Sequence, residues 1–362
     1  MEGAGSASEV NLRHGDIANW GFACATQTPV VLVGDIDRGG VIAALVGTWH
    51  LIQDAERNLL KGYIINKFRG DTALFDAGLT TITDHTGWPC YGIAPYWPDA
   101  HKLPAEDSMA LQNINNAPFS FHGNTIPKKV KIGVLAYPHL SNFDDFDPLR
   151  MEPEIDLCFY RSDEAIPGDM DWLILPGSKA TRADLDVLYD CGWDVDIKAH
   201  LRRGGGVIGI CGGYQMLGHA LHDPDGTEGV AGTCAGLGLL DMQTVWQPQK
   251  TLRETRGVHL ASGQNVSGYR MHMGHTTGPD LARPLFCLED GNEGAASANG
   301  KVMGSYLHGL FANDAFRKHI MQLGTSSLAN YDAQIDETLD ALANHLDHYF
   351  DLEGLYKVAS AT

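Results

Sequence analysis

Gly206-Val-Ile-Gly-Ile-Cys-Gly-Gly-Tyr-Gln-Met-Leu-Gly218 reads as a buried apolar strand that ends on a cysteine and turns at once into a helix. A side chain at such an elbow is pushed out of the sheet. Gly212 and Gly213 relieve crowding there, and the positive end of the following helix favours a thiolate on Cys211. This is the geometry of a nucleophile, and it implies an α/β fold with a parallel sheet.

Two other segments complete a site of this kind. Asp171-Trp-Leu-Ile-Leu-Pro-Gly-Ser178 is an apolar strand closing in a Pro-Gly-Ser turn. Backbone N–H groups near Gly177, with that of Gly212, are placed to stabilise an oxyanion. Gly304-Ser-Tyr-Leu-His-Gly-Leu-Phe311 supplies His308, a base far downstream in sequence from the cysteine it would serve.

The three segments, in this order, resemble the class I glutamine amidotransferase domain of the cobyric acid synthase family. The likeness extends to Glu2-Gly-Ala-Gly-Ser6, Asn11 to Asn19, Val33-Gly-Asp-Ile-Asp-Arg-Gly-Gly40, Asn66-Lys-Phe-Arg-Gly-Asp71 and Ser141-Asn-Phe-Asp-Asp-Phe-Asp-Pro148. The resemblance implies glutamine hydrolysis on Cys211 and His308, a step that needs no cofactor. It also implies ATP- and Mg2+-dependent amidation of the b, d, e and g carboxylates of adenosylcobyrinic acid a,c-diamide in the complete enzyme. Two positions depart from pattern. Leu310 stands where many class I amidotransferases carry a glutamate two residues beyond the histidine, a lack this family shares, so any third residue orienting His308 is open. In Gly268-Tyr-Arg-Met-His-Met-Gly274, Arg270 replaces the family's usual glutamate, and His272 is open between a structural and a functional role.

Composition sets the bounds. The chain has 362 residues, 44% of them hydrophobic, enough for two cored domains. Mean hydropathy is −0.16, and no apolar run approaches the roughly twenty residues of a membrane span. A cytoplasmic protein with no membrane partner is expected. Seven scattered cysteines without C-x-x-C spacing fit a reducing compartment. A formal charge of −19 argues against nucleic acid. It also requires local positive charge wherever a polycarboxylate corrinoid docks, and Arg38, Lys67 and Arg69 are the candidates.

Along the chain, apolar runs at 29–36, 62–66 and 89–95 alternate with helical patterns at 41–55 and 74–85, which predicts a doubly wound domain over 1–120. By resemblance it is the C-terminal part of a dethiobiotin synthetase-like P-loop domain. Polar, proline-marked residues at 107–129 read as a linker. Strands at 130–136, 157–160, 172–175 and 207–210, with a helix over 183–203, place the amidotransferase-like domain at 130–325. Ile335, Leu339, Leu342, Leu346 and Tyr349 give 326–362 an amphipathic helix, expected to pack on that second domain.

No Gly-x-x-x-x-Gly-Lys-Ser/Thr loop occurs in the sequence. The resemblance places Met1 inside the first domain, so a family member lacking its first portion is expected. By the same resemblance Glu2 helps hold magnesium, Asp35 and Asp37 lie where nucleotide or metal chemistry occurs, and Asn66 contacts the adenine. The competing reading makes the aspartates capping or turn residues and Asn66 a strand-end turn residue. Two other functions stay open: a non-catalytic amidotransferase-like subunit or binding fragment, and a cysteine hydrolase on the same elbow. The oligomeric state, a homo-oligomer included, is also open.

Overall fold

Val30–Asp35, Leu60–Phe68 and Cys90–Pro95 pair in that order as a parallel sheet, in a register that sets Asp35 beside Asn66. The computed structural model describes residues 3, 5–104, 129–325, 327 and 330–360, with backbone alone at 248–251. They divide into two units, 1–103 with 335–362, and 104–334. Most of the segment expected as a linker, and Glu2, lie outside the described residues.

In the first unit the helix expected over 41–55 ends at Leu51, where Ile52 turns extended. A short second helix, Asp54–Leu59, begins behind a Gln53/Glu56 capping box. Trp20, Leu45, Ile65, Ile82 and Trp88 are buried around the sheet. The helix Tyr331–Tyr349 corrects one expectation: from residue 335 it groups with this first unit and not with the amidotransferase-like one. The reason is backbone pairing at its end. Asp351 N donates to Tyr91 O at 2.8 Å, Phe350 bridges Gly92, and His345 Nε2 lies 3.1 Å from Pro95 O. An amphipathic pattern predicts that a face is covered, but not by what. The covering here is thin, since Leu339 remains 46% exposed.

The second unit is built on five parallel strands, in the order Val302–Ser305, Gly206–Ile210, Trp172–Leu175, Val130–Ala136, Ile155–Arg161, with Ala295–Ala296 antiparallel at one edge. Val207, Ile208, Ile210, Leu173, Ile174, Leu175, Ile132 and Val134 are all buried, the continuous apolar runs of a sheet covered on both faces. Each such side chain contributes roughly 1.5–3 kcal/mol relative to exposure. The helical stretch expected over 183–203 is two helices, Thr181–Asp190 and Trp193–Arg202, separated at Gly192, whose φ of +80° is a left-handed cap.

A second sheet was not anticipated. Gln243–His259 pairs antiparallel with Asn265–Thr277, which pairs in turn with Leu307–His308. This sheet sets Tyr269 to Met273 against the cysteine elbow and aligns Tyr269 with His308.

Candidate active site

Cys211 sits between the strand Gly206–Ile210 and the helix Gly212–Met216, with φ +51° and ψ −109°. A positive φ on a residue with a Cβ costs on the order of 1–3 kcal/mol, and the surroundings must hold it. They do so by close packing. Cys211 N donates to Ser305 O at 2.9 Å and Gly213 N to Pro176 O at 3.0 Å. A Cβ on Gly213 would lie 2.0 Å from Leu175 O, so only glycine lets the helix cross the sheet here. The helix is five residues long, so its dipole is a smaller influence on the sulfur than the sequence suggested.

His308 is fully buried beside this elbow. Its Nδ1 is 2.7 Å from Asp145 Oδ2, and the other oxygen, Asp145 Oδ1, accepts from Gly309 N at 2.7 Å. The ring stacks on Tyr269 with centroids 5.2 Å apart. Burial works against a proton on this ring, but the Asp145 hydrogen bond, then the Cys211 sulfur, outweigh it and push the pKa up to about 10. Nε2 has no hydrogen-bond partner among the described residues. The thiol, close enough to influence the ring, donates instead to Met271 O at 3.3 Å.

Gly177 and Gly212 close the other side. A Cβ on Gly177 would come 3.5 Å from His308 Cε1, and one on Gly212 would come 3.0 Å from Ser178 N. The two expected oxyanion residues are thus brought together with the cysteine and the histidine. Arg270 is tied to Asp290, which also meets Arg253 at 3.4 Å. His272 stacks on Tyr306 at 3.9 Å, and burial, then Arg270, lowers its pKa to about 4.

The first unit gathers the remaining expected residues. Asp35 Oδ2 meets Lys67 Nζ at 2.7 Å, Asp37 Oδ1 meets Arg69 Nε at 2.6 Å, and Arg69 lies over the Tyr96 ring at 3.7 Å. Asp35 Oδ1 accepts from Asp37 N and Asn66 Oδ1 from Lys67 N, so both also serve as turn residues. Arg38 is exposed and, with Asp35, lines a cavity of about 940 Å³. The lining of that cavity belongs wholly to the first unit.

Residues 131–316 match the model of the CobB/CobQ-like glutamine amidotransferase domain. The cobyric acid synthase of Bradyrhizobium sp. (strain BTAi1) is 52% identical over 362 residues, covering 99% of this chain and 72% of that one. Its counterpart in Methylorubrum populi is 50% identical over 361 residues, with the same two coverages. The chain belongs to the cobyric acid synthase family. It is thus a glutamine amidotransferase by its second unit. Among solved structures, PurLQS from Thermotoga maritima has a TM-score of 0.39 at 16% identity over 60% of this chain and 99% of that one, too weak to carry an argument.

A cobyric acid synthase implies a nucleotide and its metal. Asp35 and Asp37 suit a magnesium ion held mainly by phosphate oxygens. Each is already paired with a cation, however, and no cluster of three metal-ligating side chains occurs among the described residues. No Walker loop is present in the sequence to cradle phosphates. No helix among the described residues is long and apolar enough to cross a membrane.

The residue that sequence reasoning missed is Asp145. It lies in the Ser141 to Pro148 segment, where Asp144, Asp145 and Asp147 stand close together and nothing local singles one out.

Proposed function

We propose that Cys211 and His308 carry glutamine hydrolysis, the ammonia-supplying half of cobyric acid synthesis. The observation that carries the reading is the strained Cys211 elbow beside a buried histidine whose Nε2 has no hydrogen-bond partner among the described residues. Sγ attacks the side-chain amide carbon of glutamine while His308 holds the proton at Nε2. Collapse of the tetrahedral adduct breaks the C–N bond, and that proton leaves with ammonia. The γ-glutamyl thioester is then cleaved by a water whose proton returns to His308, releasing glutamate and restoring the thiol. Backbone N–H groups of Gly212 and Gly177 stabilise both oxyanions, each good donor contributing about 3–4 kcal/mol.

The ammonia is used on adenosylcobyrinic acid a,c-diamide, whose b, d, e and g carboxylates ATP and Mg2+ activate in the complete enzyme; the family membership supports this part. Lys67 and Arg69 supply positive charge for that polyanion, with Arg38, and Asp35, Asp37 and Asn66 face the nucleotide side. Glu2 belongs with them as a magnesium ligand.

Glutamate release tests the first step. Cys211→Ser should lose at least about 10³-fold in kcat, because a hydroxyl of similar size is a far poorer nucleophile at neutral pH. Activity retained within about tenfold would remove Cys211 from the chemistry. Cleavage of peptides in place of glutamine would favour a hydrolase.

A further inference from the structure

We propose that Asp145 is the positioning residue of this site, fixing His308 in the tautomer that leaves Nε2 facing the sulfur. The inference rests on the glutaminase reading and supplies the third member that Leu310 cannot, since Leu310 is 4% exposed and packed in the core.

The geometry separates two jobs on one carboxylate. Oδ1 accepts the Gly309 N–H, which anchors the turn after the histidine. Oδ2 accepts from Nδ1 at 2.7 Å, and a proton held there leaves Nε2 as the atom that exchanges protons with the thiol and with ammonia. Both side chains are almost fully buried, at 0% and 2% exposure, so water does not compete for either hydrogen bond. Tyr269, stacked within 19° of parallel, holds the plane of the ring, and Asn142 Nδ2 donates to the Tyr269 hydroxyl at 2.8 Å. Asp145 thus decides which nitrogen carries the proton, and Tyr269 decides where the ring lies.

The charged and titratable groups around the ring are Asp145, Asp144, Cys211, Tyr269 and His272. Among the described residues only Asp145 bonds to Nδ1. A carboxylate arriving from 163 residues upstream here does what a glutamate two positions after the histidine does in many amidotransferases.

The test is Asp145→Asn in the full chain. The asparagine carbonyl keeps the Gly309 bond, while its NH2 group faces Nδ1 and favours the opposite tautomer. We expect a folded protein whose kcat for glutamine falls by about 10²–10⁴-fold with KM little changed. Because a merely structural residue could also lower kcat, the second readout is alkylation of Cys211 by iodoacetamide as a function of pH, without glutamine. Its profile should move in Asp145→Asn. An unmoved profile, or kcat within about threefold of wild type, overturns the proposal. Should the variant fail to fold, long-range ¹H–¹⁵N NMR of wild-type His308 decides: a proton held on Nδ1, in the imidazolium or in the neutral ring, supports the assignment, and a ring protonated at Nε2 alone overturns it. Failure of the underlying reading looks different, because wild type would then release no glutamate or Cys211→Ser would retain it.

Discussion

The two units place their reactive side chains in comparable positions, just beyond the carboxyl ends of parallel strands, yet treat them in opposite ways. In the first, Asp35, Asp37, Lys67 and Arg69 are one-third or more exposed and pair with one another. In the second, Cys211 is strained, His308 is sealed from solvent, and glycines bring the backbone to contact distance. The α/β framework supplies a location in both cases. What separates the two locations is the state of their polar groups: Nε2 of His308 has no hydrogen-bond partner among the described residues, whereas Asp35 and Asp37 each already have a cation.

This contrast should appear in opposite windows of pH. The folded pKa of His308, about 10, lies above the unfolded value of 6.5, so its contribution is fully present below 6.5 and lost as pH rises through about 10. Between pH 7 and 9 the second unit should weaken by up to about 1.4 kcal/mol per pH unit. Hydrogen exchange resolved by peptide would show that slope in residues 130–325, and His308→Gln should flatten it. An identical slope in wild type and variant would break the comparison. In the first unit the Lys67 hydrogen bond lowers the Asp35 pKa and the Arg69 hydrogen bond lowers that of Asp37. Their contribution is present above 3.8 and lost as pH falls below it.

A smaller effect is expected from removing those pairs. Lys67 and Asp35 are 47% and 37% exposed, so Lys67→Ala should change stability by no more than about 1 kcal/mol, read as a shift in thermal midpoint. A loss well beyond that would mean that the exposed cluster is as tightly organised as the buried one.

Much of this was legible locally. The elbow at Cys211, the Pro-Gly-Ser turn and the His308 segment each carry their geometry within a dozen residues, because glycine placement and apolar runs report backbone crowding directly. The covering sheet was not legible: Gln243–His259 and Asn265–Thr277 are long, largely polar strands whose pairing depends on partners far apart in sequence. Asp145 was hidden for a related reason, since its partner is chosen by the fold from among neighbouring aspartates. The destination of the C-terminal helix was likewise set by backbone bonds to Tyr91 and Gly92, which no periodicity encodes.

The most direct test of the account is which cysteine a glutamine-shaped electrophile finds. Burial raises the thiol pKa of Cys24, Cys90, Cys158, Cys191 and Cys234, while Cys287 is the exposed one. Incubation with 6-diazo-5-oxo-L-norleucine followed by peptide mass spectrometry should place a single adduct on Cys211, suppressed by excess glutamine. Labelling that tracks exposure and falls on Cys287, or no labelling at Cys211, would contradict the site described here.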